Sequence, residues 1–247
     1  MDYGWVIAAR EDVEAALNDP LLRVRPRSAP VPEAMRGTVL GDVFSRLARM
    51  NDGERHDALR RRVEEMIAGY GLKEIASIAA QYARAHDIAD IASLTMATIV
   101  GISDPEAALP CIRDFAAALP IGARDEAIHR GITAAERLLT LLPVRCQDVD
   151  ACNALGFLFQ AHAATTSLIN NTLAGYNDAP VTLTRRYTAA DTEIAGQLIR
   201  EGDAVIVLLG PSRLHFGGGP HQCPGQRIAE TIASAACETL RKVEAQA

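Results

Sequence analysis

Aromatic residues are scarce in this 247-residue chain, at 4% of positions with a single tryptophan, Trp5. Few stacking platforms for nucleic acid are therefore available, and a net charge of −6 leaves no basic stripe for such a partner. No apolar run reaches transmembrane length, and Met1-Asp2-Tyr3 opens without the basic region of a secretory signal. A soluble protein that does not engage a membrane is expected. Five cysteines (Cys111, Cys146, Cys152, Cys223, Cys237) form neither a Cys-x-x-Cys pair nor a regular framework. An odd count in a chain of this length suits the reduced cytoplasm. Apolar residues, by contrast, make up 49% of the chain, rich in Ala and Leu. That is enough for a sizeable, mainly helical core in one large domain, 1–247.

Three consecutive glycines, Gly217-Gly218-Gly219, lie just before Cys223. They free the backbone to turn sharply or to lie close against a flat ligand. Cys223 precedes Pro224, a residue suited to the first position of a helix, and Ile228, Ile232, Ala235, Ala236, Leu240 and Val243 then recur at helical spacing. Cys223 is thus expected at or near a helix N-cap, where unpaired amides favour a thiolate. Such a thiolate can serve as a nucleophile or as a soft metal ligand.

Phe216, Gly219, His221, Cys223 and Gly225 spell Phe-x-x-Gly-x-His-x-Cys-x-Gly. This pattern resembles the haem-thiolate signature of the cytochromes P450, and five defined positions in ten residues make it specific. The resemblance implies haem b (iron protoporphyrin IX) as cofactor, with Cys223 as its axial iron ligand. It puts His221 at a haem propionate and Phe216 over the thiolate sulfur. Gly217, Gly219 and Gly225 let the backbone approach the macrocycle. The fold it implies is mainly α with a small β-sheet, a reduced P450-like haem-binding domain.

The rest of the chain follows in order. Trp5-Val6-Ile7-Ala8 reads as a strand, and a helix with Val13, Ala16 and Leu17 on one face follows it, up to Asn18-Asp19-Pro20. Residues 23–32 read as loop. After the turn Asn51-Asp52-Gly53 comes a helix with His56 and Arg60 four apart, so both can donate to one anion. A plain solvated basic face is the other reading of this Arg-rich run. By resemblance it is the helix that clamps a haem propionate. Residues 72–100 read as core-facing helices, with Met96 in packing and His86 at the surface. Gly101 to Pro105 is a turn, and the helical stretch 107–142 carries Pro110 and Pro120 as breakers. A turn over 176–180 leads to strands around Glu193-Ile194, Ile199 and 204–209, with turns at Gly196 and Gly202. Arg186, in this part, corresponds by resemblance to the arginine at the second propionate.

Asn153 to Ala174 resembles the long helix that crosses the distal haem face. Matched on Ser167-Leu168-Ile169, it puts Ala163 and Ala164 where the family has an acid and an alcohol that pass protons to iron-bound dioxygen. Alanine has no donor or acceptor for that task. His162 stands beside the pair, and Thr165 falls one residue late, about 100° around a helix. A local bulge would restore Thr165 to the alcohol's place. The Glu-x-x-Arg helix of the family has no room before Arg186. Glu33-x-x-Arg36 and Glu238-x-x-Arg241 fit its letters in other places, and the segment before the haem loop shrinks to Pro211-Ser212-Arg213.

These features imply an atypical haem-thiolate oxidoreductase acting on a small organic molecule in small-molecule or secondary metabolism. Peroxide-driven oxidation, or a haem-catalysed rearrangement or dehydration, fits the missing acid–alcohol pair. The loss of elements that dock an electron donor makes a redox partner doubtful, and the surface they leave bare suggests self-association. The alternative is a non-catalytic haem protein: a sensor, a carrier or a degenerate relative. A thiolate nucleophile without haem would need a base near Cys223, and none is adjacent in sequence.

Overall fold

In the computed structural model, residues 4–143, 148–176 and 180–246 are described. The chain opens with β1 (Trp5–Ile7) and α1 (Arg10–Asn18), and α1 buries Val13, Ala16 and Leu17 as their spacing predicts. The loop expected after it contains one short strand, β2 (Leu22–Arg23), which pairs with residues far along the chain.

Seven helices follow: α2 (Val39–Arg46), α3 (Gly53–Ala68), α4 (Leu72–Ala85), α5 (Ile88–Ile99), α6 (Pro105–Ala118), α7 (Asp125–Leu141) and α8 (Asp148–Gln160). Their apolar faces meet in a core where Leu40, Phe44, Phe115, Leu138 and Leu155 are almost fully buried. α6 and α7 cross closely because Gly131 has no side chain. A Cβ there would sit 2.2 Å from the Ala118 Cβ. Met96 packs in this core as expected, whereas His86 is only partly exposed, with Nε2 3.2 Å from Glu106. Pro110 does not break α6. It forgoes one amide bond near the start of the helix, and packing of Ala108, Ile112 and Phe115 holds the rest.

α8 continues without a break into a π-helical segment, Ala161–Thr165, and then into α9 (Thr166–Ala174). Residues 177–179 of the expected turn, and Cys146, lie outside the described residues. β3 (Leu183–Thr188), β4 (Thr192–Ile194), β5 (Gln197–Ile199) and β6 (Ala204–Leu208) follow, before the final helix α10 (Gln226–Glu244). The main sheet has the order β1-β6-β3-β2, with β1 parallel to β6 and the other pairs antiparallel. Arg186 faces Val205 on β3, an inner strand rather than an edge. Gly196 and Gly202 turn with positive φ (71° and 88°), as their positions in the sequence suggested. Among the described residues no helix is long and apolar enough to cross a membrane.

Candidate functional site

The loop between β6 and α10 forms one wall of a cavity with an interior open to water of about 270 Å³. The Cys223 amide donates to Phe216 O (2.9 Å), and the Gln222 amide to Gly219 O (3.0 Å), so the loop folds back on itself. Gly217 and Gly219 both take positive φ (74° and 62°), the conformation that glycine reaches without strain. Phe216, Gly217, Cys223 and Gly225 all border the cavity. Gly219 does not. Its missing side chain makes room for α1 instead, since a Cβ would lie 2.4 Å from Leu17 O.

Cys223 stands two residues before the N-cap, Gly225, so Pro224 precedes the helix rather than starting it. Burial pushes its thiol above the usual range. A hydrogen bond from the Gly225 amide and the charges of Arg60 and Arg49 oppose that rise without cancelling it. Desolvation disfavours the charged form and here outweighs the helix-terminus effect expected from the sequence.

α3 brings His56 and Arg60 to the cavity together, as their four-residue spacing required. His56 is 3% exposed, and its ring lies 4.1 Å from that of His221. His221 Nε2 lies 3.4 Å from Asp52 Oδ1. Burial lowers the His221 pKa, and the neighbouring charges of His56 and Arg186 add to that, against the contrary pull of Asp52. Burial would raise the Asp52 carboxyl, but hydrogen bonds from His221 and the Val24 amide leave it below the usual carboxylate range. Arg60 donates to Glu64 (2.6 Å) and to Gln222 O in the cysteine loop. Arg61 is exposed on α3, and Arg62 pairs with Asp150 on α8.

β3 delivers Arg186, 5% exposed, from the opposite direction. Its hydrogen-bond partners are neutral: Thr184 Oγ1 (2.8 Å) and Arg185 O (3.0 Å). Burial lowers its pKa to about 10, although the Asp52 charge works the other way. Arg49, between α2 and α3, was not picked out in the sequence. It also borders the cavity, stacked 5.1 Å from the centre of the Phe159 ring. His215 completes a lining of three arginines and three histidines with no carboxylate among its described residues.

The helical run over α8, the π segment and α9 supplies a further wall. An α-helix would carry Thr165 away from the Ala164 direction, but the π segment admits one extra residue. Ala161, Ala164 and Thr165 consequently border the cavity together. His162 and Ala163 are not brought there. Ala163 is exposed, and His162 Nδ1 lies 3.0 Å from Ser93 Oγ on α5. Beside the residues that line the cavity, Ala163 faces the surface and His162 faces α5.

No protein-family model matches the sequence, and no curated protein matches it. Solved structures do. P450BioI, in complex with a hexadec-9Z-enoic acid ligated acyl carrier protein, superposes with a TM-score of 0.79 at 18% identity, over 97% of this chain and 85% of the other. CalO2 gives a TM-score of 0.75 at 19% identity, over 96% and 82%. CYP109B1 from Bacillus subtilis gives 0.70 at 16% identity, over 97% and 85%. The chain has the cytochrome P450 fold.

Within this P450 fold, no helix occurs between α9 and β3 among the described residues, where the Glu-x-x-Arg pair was expected to be missing. The two look-alike pairs do not substitute for it. Glu238 bonds Lys242, and Arg241 donates to Thr172 O, while Glu33 and Arg36 flank a short 3₁₀ turn. Nor do three or more His, Cys, Asp or Glu side chains cluster as a metal site among the described residues. Cys223 is thus a lone thiol in this cavity.

Proposed function

We propose that this P450-fold chain is a haem-thiolate oxidoreductase acting on a small organic molecule. The observation that carries the reading is a cavity whose described lining residues hold one thiol, Cys223, with six cationic or ionisable nitrogen side chains and no carboxylate. A buried guanidinium such as Arg186, with only neutral partners, is costly unless an anion arrives. A planar tetrapyrrole with two carboxylates supplies one, and its iron takes a single protein sulfur without a multi-residue metal site. The residues fit the group.

In this reading Cys223 would hold the iron, itself fixed by the Phe216 carbonyl on its amide and by the Gly225 amide on its sulfur. Its thiol, kept protonated by burial, would give up that proton to bind a metal. His56, Arg60, Arg186 and His221 form the carboxylate-binding side, and Phe216, Gly217 and Gly225 border the macrocycle. The iron, when bound, supplies the redox chemistry. On the facing helix, Thr165 Oγ1 can hold a proton, whereas Ala164 cannot. No carboxylate stands beside that hydroxyl among the described cavity residues. Proton delivery from a buried acid is therefore missing, which favours peroxide-driven oxidation, or rearrangement, over ordinary dioxygen-dependent hydroxylation.

The test is the absorption spectrum of protein supplied with haem, ferric and then reduced under carbon monoxide, beside Cys223→Ala. A red-shifted thiolate-type carbonyl band that the variant lacks is the expected result. Failure to bind haem sinks the proposal. Turnover with hydrogen peroxide then separates an enzyme from a protein that only binds the cofactor.

A further inference from the structure

Of the three arginines at the cavity, two lack a counter-charge. Arg60 shares its charge with Glu64 and spends donors on the Gln222 and Pro220 carbonyls of the cysteine loop. Arg186 has only Thr184 Oγ1 and a main-chain oxygen. Arg49 makes no hydrogen bond or ion pair with any described residue, and its guanidinium stacks on the Phe159 ring. It keeps accessible surface because it borders the cavity, yet the surrounding protein desolvates it enough to lower its pKa. Its charge is felt at both Cys223 and Arg186, so it belongs to the same electrostatic cluster.

Cations at the cavity wall with no counter-charge from the chain, Arg186 buried and Arg49 accessible to solvent, are placed to take an anion from outside it. Resting on the haem reading above, the two uncompensated guanidiniums match the two carboxylates of one haem. We infer that Arg49 is a further guanidinium binding the haem carboxylates, alongside Arg60 and Arg186.

The experiment compares haem with haem dimethyl ester, which keeps the macrocycle but loses both negative charges. Affinities are read from the absorption titration of the full chain and of Arg49→Gln, Arg49→Lys, Arg186→Gln and Arg60→Gln. Arg49→Gln should weaken haem binding about tenfold to a hundredfold, the scale of a lost charge-assisted hydrogen bond, and leave the ester affinity unchanged. Arg49→Lys should recover part of the loss. Arg60→Gln, which also frees the Pro220 and Gln222 carbonyls of the cysteine loop, should lower both affinities, haem the more, and diminish the thiolate-type carbonyl band. Apo-protein melting should fall only slightly in Arg49→Gln, since the stacking on Phe159 is the one contact removed that the structure shows, so a folding failure is separable from a binding one.

Wild-type protein that binds haem while Arg49→Gln keeps the same preference for haem over its ester refutes the inference alone. So does a variant that binds haem normally but loses affinity for dodecanoate, because Arg49 would then serve a substrate carboxylate. Wild-type protein that binds no haem overturns the functional reading, and the inference with it.

Discussion

Gly219→Ala is the sharpest test of how the cysteine loop is built. Two separate costs arise at this position. Its φ of +62° is in the left-handed region, which an L side chain occupies at about 1–2 kcal/mol. Its Cβ would also lie 2.4 Å from Leu17 O and 3.0 Å from Leu17 C, both backbone atoms that cannot swing aside. Overpacking of that kind adds about 1–3 kcal/mol. The total is about 2–5 kcal/mol, or a fall in melting temperature of about 4–20 °C for a chain of this size. Gly217→Ala supplies the control. It has the same sign of φ, at +74°, but the nearest atom to its Cβ is His221 O at 4.0 Å. Only the backbone cost, about 1–2 kcal/mol, should appear. Thermal melting followed by circular dichroism measures both. Equal losses in the two variants would refute the claim that the loop is seated on the end of α1.

Other expectations follow from the same geometry. Phe115→Ala should cost about 3–5 kcal/mol in urea denaturation, because the ring is wholly enclosed in the helical core. Gly131→Ala should destabilise by about 1–3 kcal/mol by forcing α6 and α7 apart, a loss that Ala118→Gly in the same chain should partly restore. Asp52 titrates below its ordinary range in the fold, so the stability it contributes is fully present above the unfolded value, about 3.9, and is lost as pH falls through the folded one. The melting gap between wild type and Asp52→Asn should therefore narrow in acid, and a constant gap from pH 7 to pH 3 would contradict the assignment. Thr165→Val should alter the spectrum of the haem-loaded protein, while His162→Ala should leave it unchanged; the reverse pattern would mean that the π segment is misassigned.

Local pattern carried most of what could be read in advance. The loop around Cys223 is contiguous in sequence, and His56 and Arg60 are tied by helix geometry, so each was legible without tertiary information. The strands around Gly196 and Gly202 announced themselves by alternation and turn residues. What was missed depends on contacts across the chain. Arg49 is in a short turn with no periodicity, and only folding sets it beside Cys223 and Arg186. The one hint was an arginine between the apolar residues Leu47-Ala48 and Met50. The Asp52–His221 contact joins residues far apart in sequence. Gly219 fitted a motif, yet its backbone serves α1. The rise in the Cys223 pKa follows from burial, which a helix-start pattern does not reveal.

The π segment has a consequence for how this helix tolerates change. α8 packs on α2, α3, α5, α6 and α7, whereas α9 packs on α5 and α10. The two halves are therefore one rod joined through the extra residue, sharing α5 and otherwise keyed to different neighbours. Ala163 is exposed, so most replacements there are harmless to packing. Its deletion would leave a uniform α-helix with α9 still in phase, because a π bulge holds within itself the one residue that a regular helix omits. Ile169, now wholly buried, and Cys237, whose Sγ lies 3.6 Å from the Ile169 carbonyl, would keep their alignment. The segment is thus a place where the helix absorbs a change of one residue, which elsewhere along it would turn everything beyond by about 100°.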